Sequence, residues 1–182
     1  MVYIVLGKGF EEAEAIIPCD LLRRAGVDVR FAGIGGLDIE GGHGITVRAD
    51  CLTEEIELEN LEMFVLPGGL GGVASIRSSK TAMDAVAAAY EKGCYVAAIC
   101  AAPVILAELG ILEEKNATCY PGMEAEMTGA FMNSRPAVAD GKVITGMAAG
   151  TAFDFALKLI EVLRGKQAAD AIAAGIVYQQ GG

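Results

Sequence analysis

Three short, unbroken apolar runs constrain this chain more than any other feature: residues 2–6, 63–66 and 95–99. Each breaks off at once into turn-forming or small residues, namely Gly7, Pro67-Gly68-Gly69 and Cys100-Ala101-Ala102. Runs this short and this continuously apolar suit strands buried on both faces of a parallel sheet. A further strand-like stretch spans residues 27–32, and an Asp140-Gly141 pair between apolar arms signals a hairpin over residues 137–145.

Segments with helix punctuation lie between the runs. Glu11, Glu12 and Glu14 lead one of them, Arg23 and Arg24 trail it, and Gly26 closes it. That charge order complements a helix dipole. Pro18 sits inside the segment, so the spacing predicts a kinked or late-starting helix. Further helices are predicted over residues 80–92, 104–109, 151–163 and 167–174. Residues 33–44 read as loop, 45–47 as a possible small strand, 51–61 as an acidic helix or turn, and 117–119 as a short strand. Strands alternating with amphipathic helices predict an α/β domain, a mostly parallel sheet with helices on both faces. In such sheets sites form where loops leave the carboxyl ends of the strands.

All 182 residues read as one domain, with no repeat and no linker. A chain of this length buries roughly 70% of the surface its unfolded form exposes, so its core needs no disulfide or structural metal. A net charge of −10 and the absence of Trp argue against nucleic acid and anionic lipid as partners. The longest uncharged stretches, near residues 63–76 and 94–107, run to about 14 residues, short of the roughly 20 that a bilayer span needs. The amino terminus is apolar from its first residue and reads as a first strand rather than a signal peptide. Five Cys without a Cys-x-x-Cys pair suit a reducing, cytoplasmic setting, and a single His excludes a multi-histidine metal centre. No cofactor motif is present.

Cys100 stands where an apolar strand breaks into a helix, flanked by Ala98, Ala101 and Ala102. Small neighbours of this kind suit a sharp strand-to-helix turn that lifts one side chain into a strained, accessible position. The helix start adds N–H groups and a positive dipole end, which should lower the thiol pKa. The plainer alternative is a buried Cys packed as a small hydrophobe. N–H groups around Gly68-Gly69 and Ala101 could form an oxyanion hole, although Gly68-Gly69 is also an ordinary turn. A carboxylate beside a thiolate raises both pKa values, so a Glu near Cys100 is useful only if it holds a proton and donates it to sulfur. On spacing alone any of Glu11, Glu12 and Glu14 could be that group, the others being solvated first-turn acids.

Three stretches together carry a family resemblance: Glu11-Glu12-Ala13-Glu14 with its helix, Val65-Leu66-Pro67-Gly68-Gly69, and Ala98-Ile99-Cys100-Ala101. With Gly150-Thr151-Ala152-Phe153-Asp154-Phe155, they make nearly the whole chain resemble the ThiJ/PfpI superfamily, in its branch around the Parkinson-disease-associated protein deglycase. The resemblance implies a flavodoxin-like sandwich, related to class I glutamine amidotransferases and usually homodimeric. It implies Cys100 as the reactive cysteine, Glu14 as the glutamate bonded to its sulfur, and Gly69 and Ala101 N–H groups at the substrate oxygen. It implies cofactor-free detoxification of glyoxals or action on glycated adducts. The alternatives are oxidant sensing through Cys100, a chaperone role, or a thiamine-pathway role, the last without any phosphate-binding loop in the sequence.

Two positions depart from the family pattern. Tyr120 stands where many relatives carry a His, which removes a Cys–His dyad and leaves Tyr120 as a possible pocket residue. Met147 stands where relatives commonly carry an Arg. His43 lies in Gly-Gly-His-Gly, where relatives often place an Arg that reaches the neighbouring subunit's site; it is either a pH-dependent replacement or a solvated loop residue.

Overall fold

A computed structural model describes residues 1–179. Strands β1 (Val2–Leu6), β2 (Val29–Gly33), β6 (Met63–Leu66), β7 (Tyr95–Ile99) and β11 (Val143–Gly146) form the parallel body of a seven-stranded sheet. Its two edges are β5 (Cys51–Leu52) and β10 (Ala137–Asp140), giving the order β10-β11-β7-β6-β1-β2-β5. Only the β10–β11 pair is antiparallel; the expected hairpin is there, but its turn is Gly141-Lys142, one residue later than Asp140-Gly141. The chain leaves β1 for β2 on one side and later returns to its other side with β6. The reversal between β1 and β6 is the switch point at which α/β sheets open a crevice.

Alternation along β1 shows why the run had to be apolar throughout. Val2, Ile4 and Leu6 pack with α1 (Glu12–Arg24) and α5 (Ala152–Arg164), against Leu21, Leu22, Phe155 and Leu159. Tyr3 and Val5 turn to the opposite face, against Val73 and Ile76 of α2 (Leu70–Ser78), Val86 of α3 (Lys80–Glu91) and Ile105 of α4 (Pro103–Glu108). Each large side chain fully buried in this way contributes about 1.5–3 kcal/mol of transfer free energy. The α6 helix (Lys166–Gly175) packs on α5.

Several local expectations change. The α1 helix runs from Glu12 through Pro18 without a late start. Pro18 lacks only the N–H that would bond the Glu14 carbonyl. Residues 38–48 fold as a hairpin of β3 (Asp38–Glu40) and β4 (Thr46–Arg48), and only 53–55 of the acidic segment form a 3₁₀ turn. β2 begins at Val29, two residues later than the pattern suggests. The short strand near 117 is β8 (Asn116–Ala117), paired with β9 (Phe131–Met132). The α2 helix carries no sequence signal, because Gly71 and Gly72 are poor helix formers inside it. Among the described residues, no helix is long and apolar enough to cross a membrane.

Candidate active site

The carboxyl ends of β1, β6 and β7 lie side by side in the sheet, and the segments that leave them meet at Cys100. Cys100 has φ 66°. A left-handed conformation costs a non-glycine residue of order 1–2 kcal/mol, so its surroundings must enforce it. They do so from both sides: the Cys100 N–H donates to the Gly146 carbonyl at 3.0 Å, and its carbonyl accepts from the Tyr120 N–H at 2.8 Å. Ala101 and Ala102, which follow it, are both buried. The sulfur-bearing residue itself is half-buried, neither sealed in the core nor open to bulk water.

Glu14 is fully buried on the first turn of α1. Its Oε2 accepts the Gly68 N–H at 2.8 Å, whereas Oε1 has no hydrogen-bond partner among the described residues. Gly68 must lack a side chain here, because a Cβ would stand 2.6 Å from Glu14 Oε2 and 2.7 Å from the Cys100 Cβ. Gly69 has φ +81° and closes against the chain at Gly9 and Glu11. Burial pushes the Glu14 carboxyl up to about 7, against the opposing pull of the Gly68 N–H and of Cys100.

The thiol is not lowered, as the helix start alone would suggest. Burial, followed by the charge of Glu14, pushes Cys100 up to about 12, and the Ala101 and Gly69 N–H groups only partly offset this. Both groups are therefore raised, and between about 7 and about 12 the pair holds one proton. That proton belongs to the pair: carboxylate with thiol and carboxylic acid with thiolate are two arrangements of the same charge state. An ionised Oε1 without a donor is costly in a buried site, which favours passing the proton toward that oxygen when the sulfur attacks.

The neighbouring acids are not both solvated. Glu12 is buried, and its carboxylate accepts the N–H groups of His43 at 2.8 Å and Ile45 at 3.4 Å. Its Oε2 also meets His43 Nδ1 at 3.0 Å. Burial raises Glu12, but these hydrogen bonds outweigh it and take the carboxyl down to about 2. His43 is raised in turn, first by its bond to Glu12. It is exposed at its outer edge, and within this chain it serves the hairpin rather than Cys100. Glu11, Glu12 and His43 bring three potential metal-ligand atoms within 4.8 Å, although those of Glu12 and His43 are already engaged with each other.

Tyr120 contributes through its backbone, and its ring is half exposed. Beside the sharp turn at Cys100, the elbow of the site, lies a cleft of about 390 Å³ whose walls include Pro121, Glu124, Met132, Asn133, Ser134 and Met147. The sequence offered no periodic signal for these walls, since residues 118–136 are mostly irregular. A larger cleft of about 460 Å³ opens at the amino end of β2, far along the strand from the elbow. Its Arg23 is spent on the Val29 carbonyl and on Asp50.

Residues 1–162 match the model of the DJ-1/PfpI family, over the stretch that holds every group just described. The chain belongs to the DJ-1/PfpI family. It is 36% identical over 177 residues to protein dj-1beta of Drosophila melanogaster, covering 96% of this chain and 95% of that protein. It is 29% identical to the glutathione-independent glyoxalase DJR-1.2 of Caenorhabditis elegans, covering 86% of this chain and 84% of the relative. Among solved DJ-1/PfpI structures, that of oxidised Toxoplasma gondii DJ-1 superposes with a TM-score of 0.94 at 31% identity, covering 98% of both chains.

Proposed function

We propose that this protein converts 2-oxoaldehydes such as methylglyoxal, or their early adducts, into 2-hydroxy acids without a cofactor, with Cys100 as nucleophile and Glu14 as acid and base. The observation that carries this reading is a strained, half-buried thiol facing a fully buried carboxyl across Gly68, a burial that raises the proton affinity of both groups. The name of the nematode relative, a glutathione-independent glyoxalase, supports the same chemistry.

The sulfur adds to the aldehyde carbon as Glu14 takes the thiol proton. The former aldehyde oxygen lies by the Gly69 and Ala101 N–H groups, receives that proton, and a hemithioacetal results. Glu14, a carboxylate again, removes the hydrogen from the carbon bearing sulfur, giving an enediol, and returns a proton to the adjacent carbon. The first carbon is now a thioester and the second a carbinol, so one carbon is oxidised as the other is reduced. Water cleaves the thioester, releasing the 2-hydroxy acid and restoring the thiol.

Lactate formation from methylglyoxal by purified protein tests the reading. Cys100→Ser should fall to the background rate; equal rates in the two proteins would refute it. The same thiol supports a second reading, stepwise oxidation by peroxide, and the Toxoplasma gondii relative is known in an oxidised form. Intact mass after mild peroxide should then show oxygen added at Cys100 before the other thiols. We further propose a cytoplasmic homodimer: five free thiols suit a reducing compartment, and Ile16 and Ile45 leave large apolar side chains exposed for a second copy to cover.

A further inference from the structure

The cleft beside the elbow is joined to it through the two anchors of Cys100. Tyr120, whose N–H holds the Cys100 carbonyl, lies between Cys119 and Pro121, both in the cleft wall. Gly146, whose carbonyl holds the Cys100 N–H, is followed directly by Met147, which lines the same cleft. Both anchors hold the backbone of Cys100, so the cleft begins one residue beyond each of them, and a group attached to the sulfur would have to extend past an anchor to reach it. The lining combines apolar Pro121, Met132 and Met147 with polar Asn133 and Ser134. The only charged lining group among the described residues is Glu124, whose carboxylate accepts the Gly122 N–H at 2.9 Å and is held below its ordinary range by backbone N–H groups. No lining side chain is cationic.

We propose that this cleft is a charge filter: it admits the neutral or cationic remainder of an aldehyde or aldehyde adduct held at Cys100, and it rejects remainders that carry a carboxylate, through Glu124 and through a methionine at position 147. The inference rests on the reading of Cys100 as the reactive sulfur and adds the class of substrate. A negatively charged remainder would face Glu124 with no cation to compensate, and Met147 would have to desolvate it. An uncharged aryl or alkyl remainder buries against Met132, Met147 and Pro121 at no such cost.

Alkylation of Cys100 tests the filter without requiring turnover. Phenacyl bromide and its 4-carboxylate, 4-(bromoacetyl)benzoate, both lose bromide to the thiol and both carry an aryl group long enough to enter the cleft. Rates are read by intact mass, with Cys100→Ser as the site control. In the native protein the neutral reagent should react about tenfold faster than the anionic one. Glu124→Gln should lower that ratio by about threefold, the size expected for one exposed charge close to the reagent. Met147→Arg should lower it further or invert it. Glu126→Gln makes the same change in net charge outside the cleft and should leave the ratio unaltered. A ratio that is the same in the native protein, Glu124→Gln and Met147→Arg would overturn the filter, and so would an equal response to Glu126→Gln. Because the readout is alkylation, absence of lactate production would count against the proposed activity alone.

Discussion

Glu12 and Glu14 lie two residues apart on the first turn of α1, both buried, and they end with opposite affinities for a proton. Glu12 is held at about 2 and Glu14 is raised to about 7. Burial raises both, so the difference lies in the donors each one meets. Glu12 receives two backbone N–H groups and an imidazole from the 41–45 loop, which wraps around it. Glu14 receives one N–H, keeps one oxygen without a partner, and faces a thiol. A satisfied carboxylate organises structure, and an unsatisfied one is left with a proton to exchange.

The largest test of this contrast is kinetic. Glu14→Gln removes the exchangeable proton while keeping the shape, and kcat for methylglyoxal should fall by about 10²–10⁴-fold. Glu12→Gln should leave kcat within a few-fold of the native value. In the native protein the rate should rise with pH through about 7, as the pair loses its first proton, and Glu14→Gln should abolish that rise. A rate indifferent to Glu14→Gln would break the comparison.

Next in size is Gly68→Ala. The added Cβ collides with both Glu14 and the Cys100 Cβ, so unfolding by denaturant should show a loss of about 1–3 kcal/mol, together with lost activity.

Stability against pH separates the two acids further. Glu12 is depressed below its ordinary 4.5, so the stability it contributes is present above that pH and is lost as pH falls from about 4.5 to about 2. Glu12→Gln should therefore cost on the order of 1–2 kcal/mol at neutral pH, and the cost should disappear at low pH. Glu14 is raised, so the folded state binds its proton more tightly than the unfolded chain, and stability is lost as pH rises from about 4.5 through about 7. Glu14→Gln should raise the Tm at pH 8 by about 2–4 °C, the reverse of Glu12→Gln. If both variants move the Tm in one direction, the distinction fails.

The smallest effect belongs to His43→Ala. Glu12 keeps its two backbone donors, so the fold should persist, with faster amide exchange confined to residues 41–45. The raised His43 contributes below its unfolded pKa and loses that contribution as pH rises through its folded one, so the difference should shrink in alkaline buffer.

The layered fold was readable from linear pattern because its signals are local. The run Val2–Leu6 can be apolar at every position only if both faces of the strand are covered, and the helices that cover it announce themselves by charge order and closing glycines. The α2 helix and, in the β3–β4 hairpin, the β3 arm and its pairing were illegible for the converse reason, although residues 45–47 did read as a possible strand. Gly71 and Gly72 contradict helix propensity, and the hairpin is held by bonds to distant groups, such as Gly9 N–H to the Glu40 carbonyl. At the site, the turn at Cys100 could be inferred from its small neighbours, but the sign of its pKa shift could not. The helix start argues for a lowered thiol, and only its burial in the folded chain, followed by the charge of Glu14, reverses the balance.

By itself the chain's pattern determined the α/β layering, the sharp turn that bears Cys100 and the presence of acids at the start of α1. Those features depend on neighbours within a few residues. Which of the three acids turns inward, which oxygen stays without a donor, and that Met147 and Glu124 share a cleft were decided only by tertiary structure. Proton affinity and charge selection depend on the groups that surround a side chain in space, and here those groups come from β6, β7, the 41–45 loop and the 118–134 segment, which the sheet alone brings together.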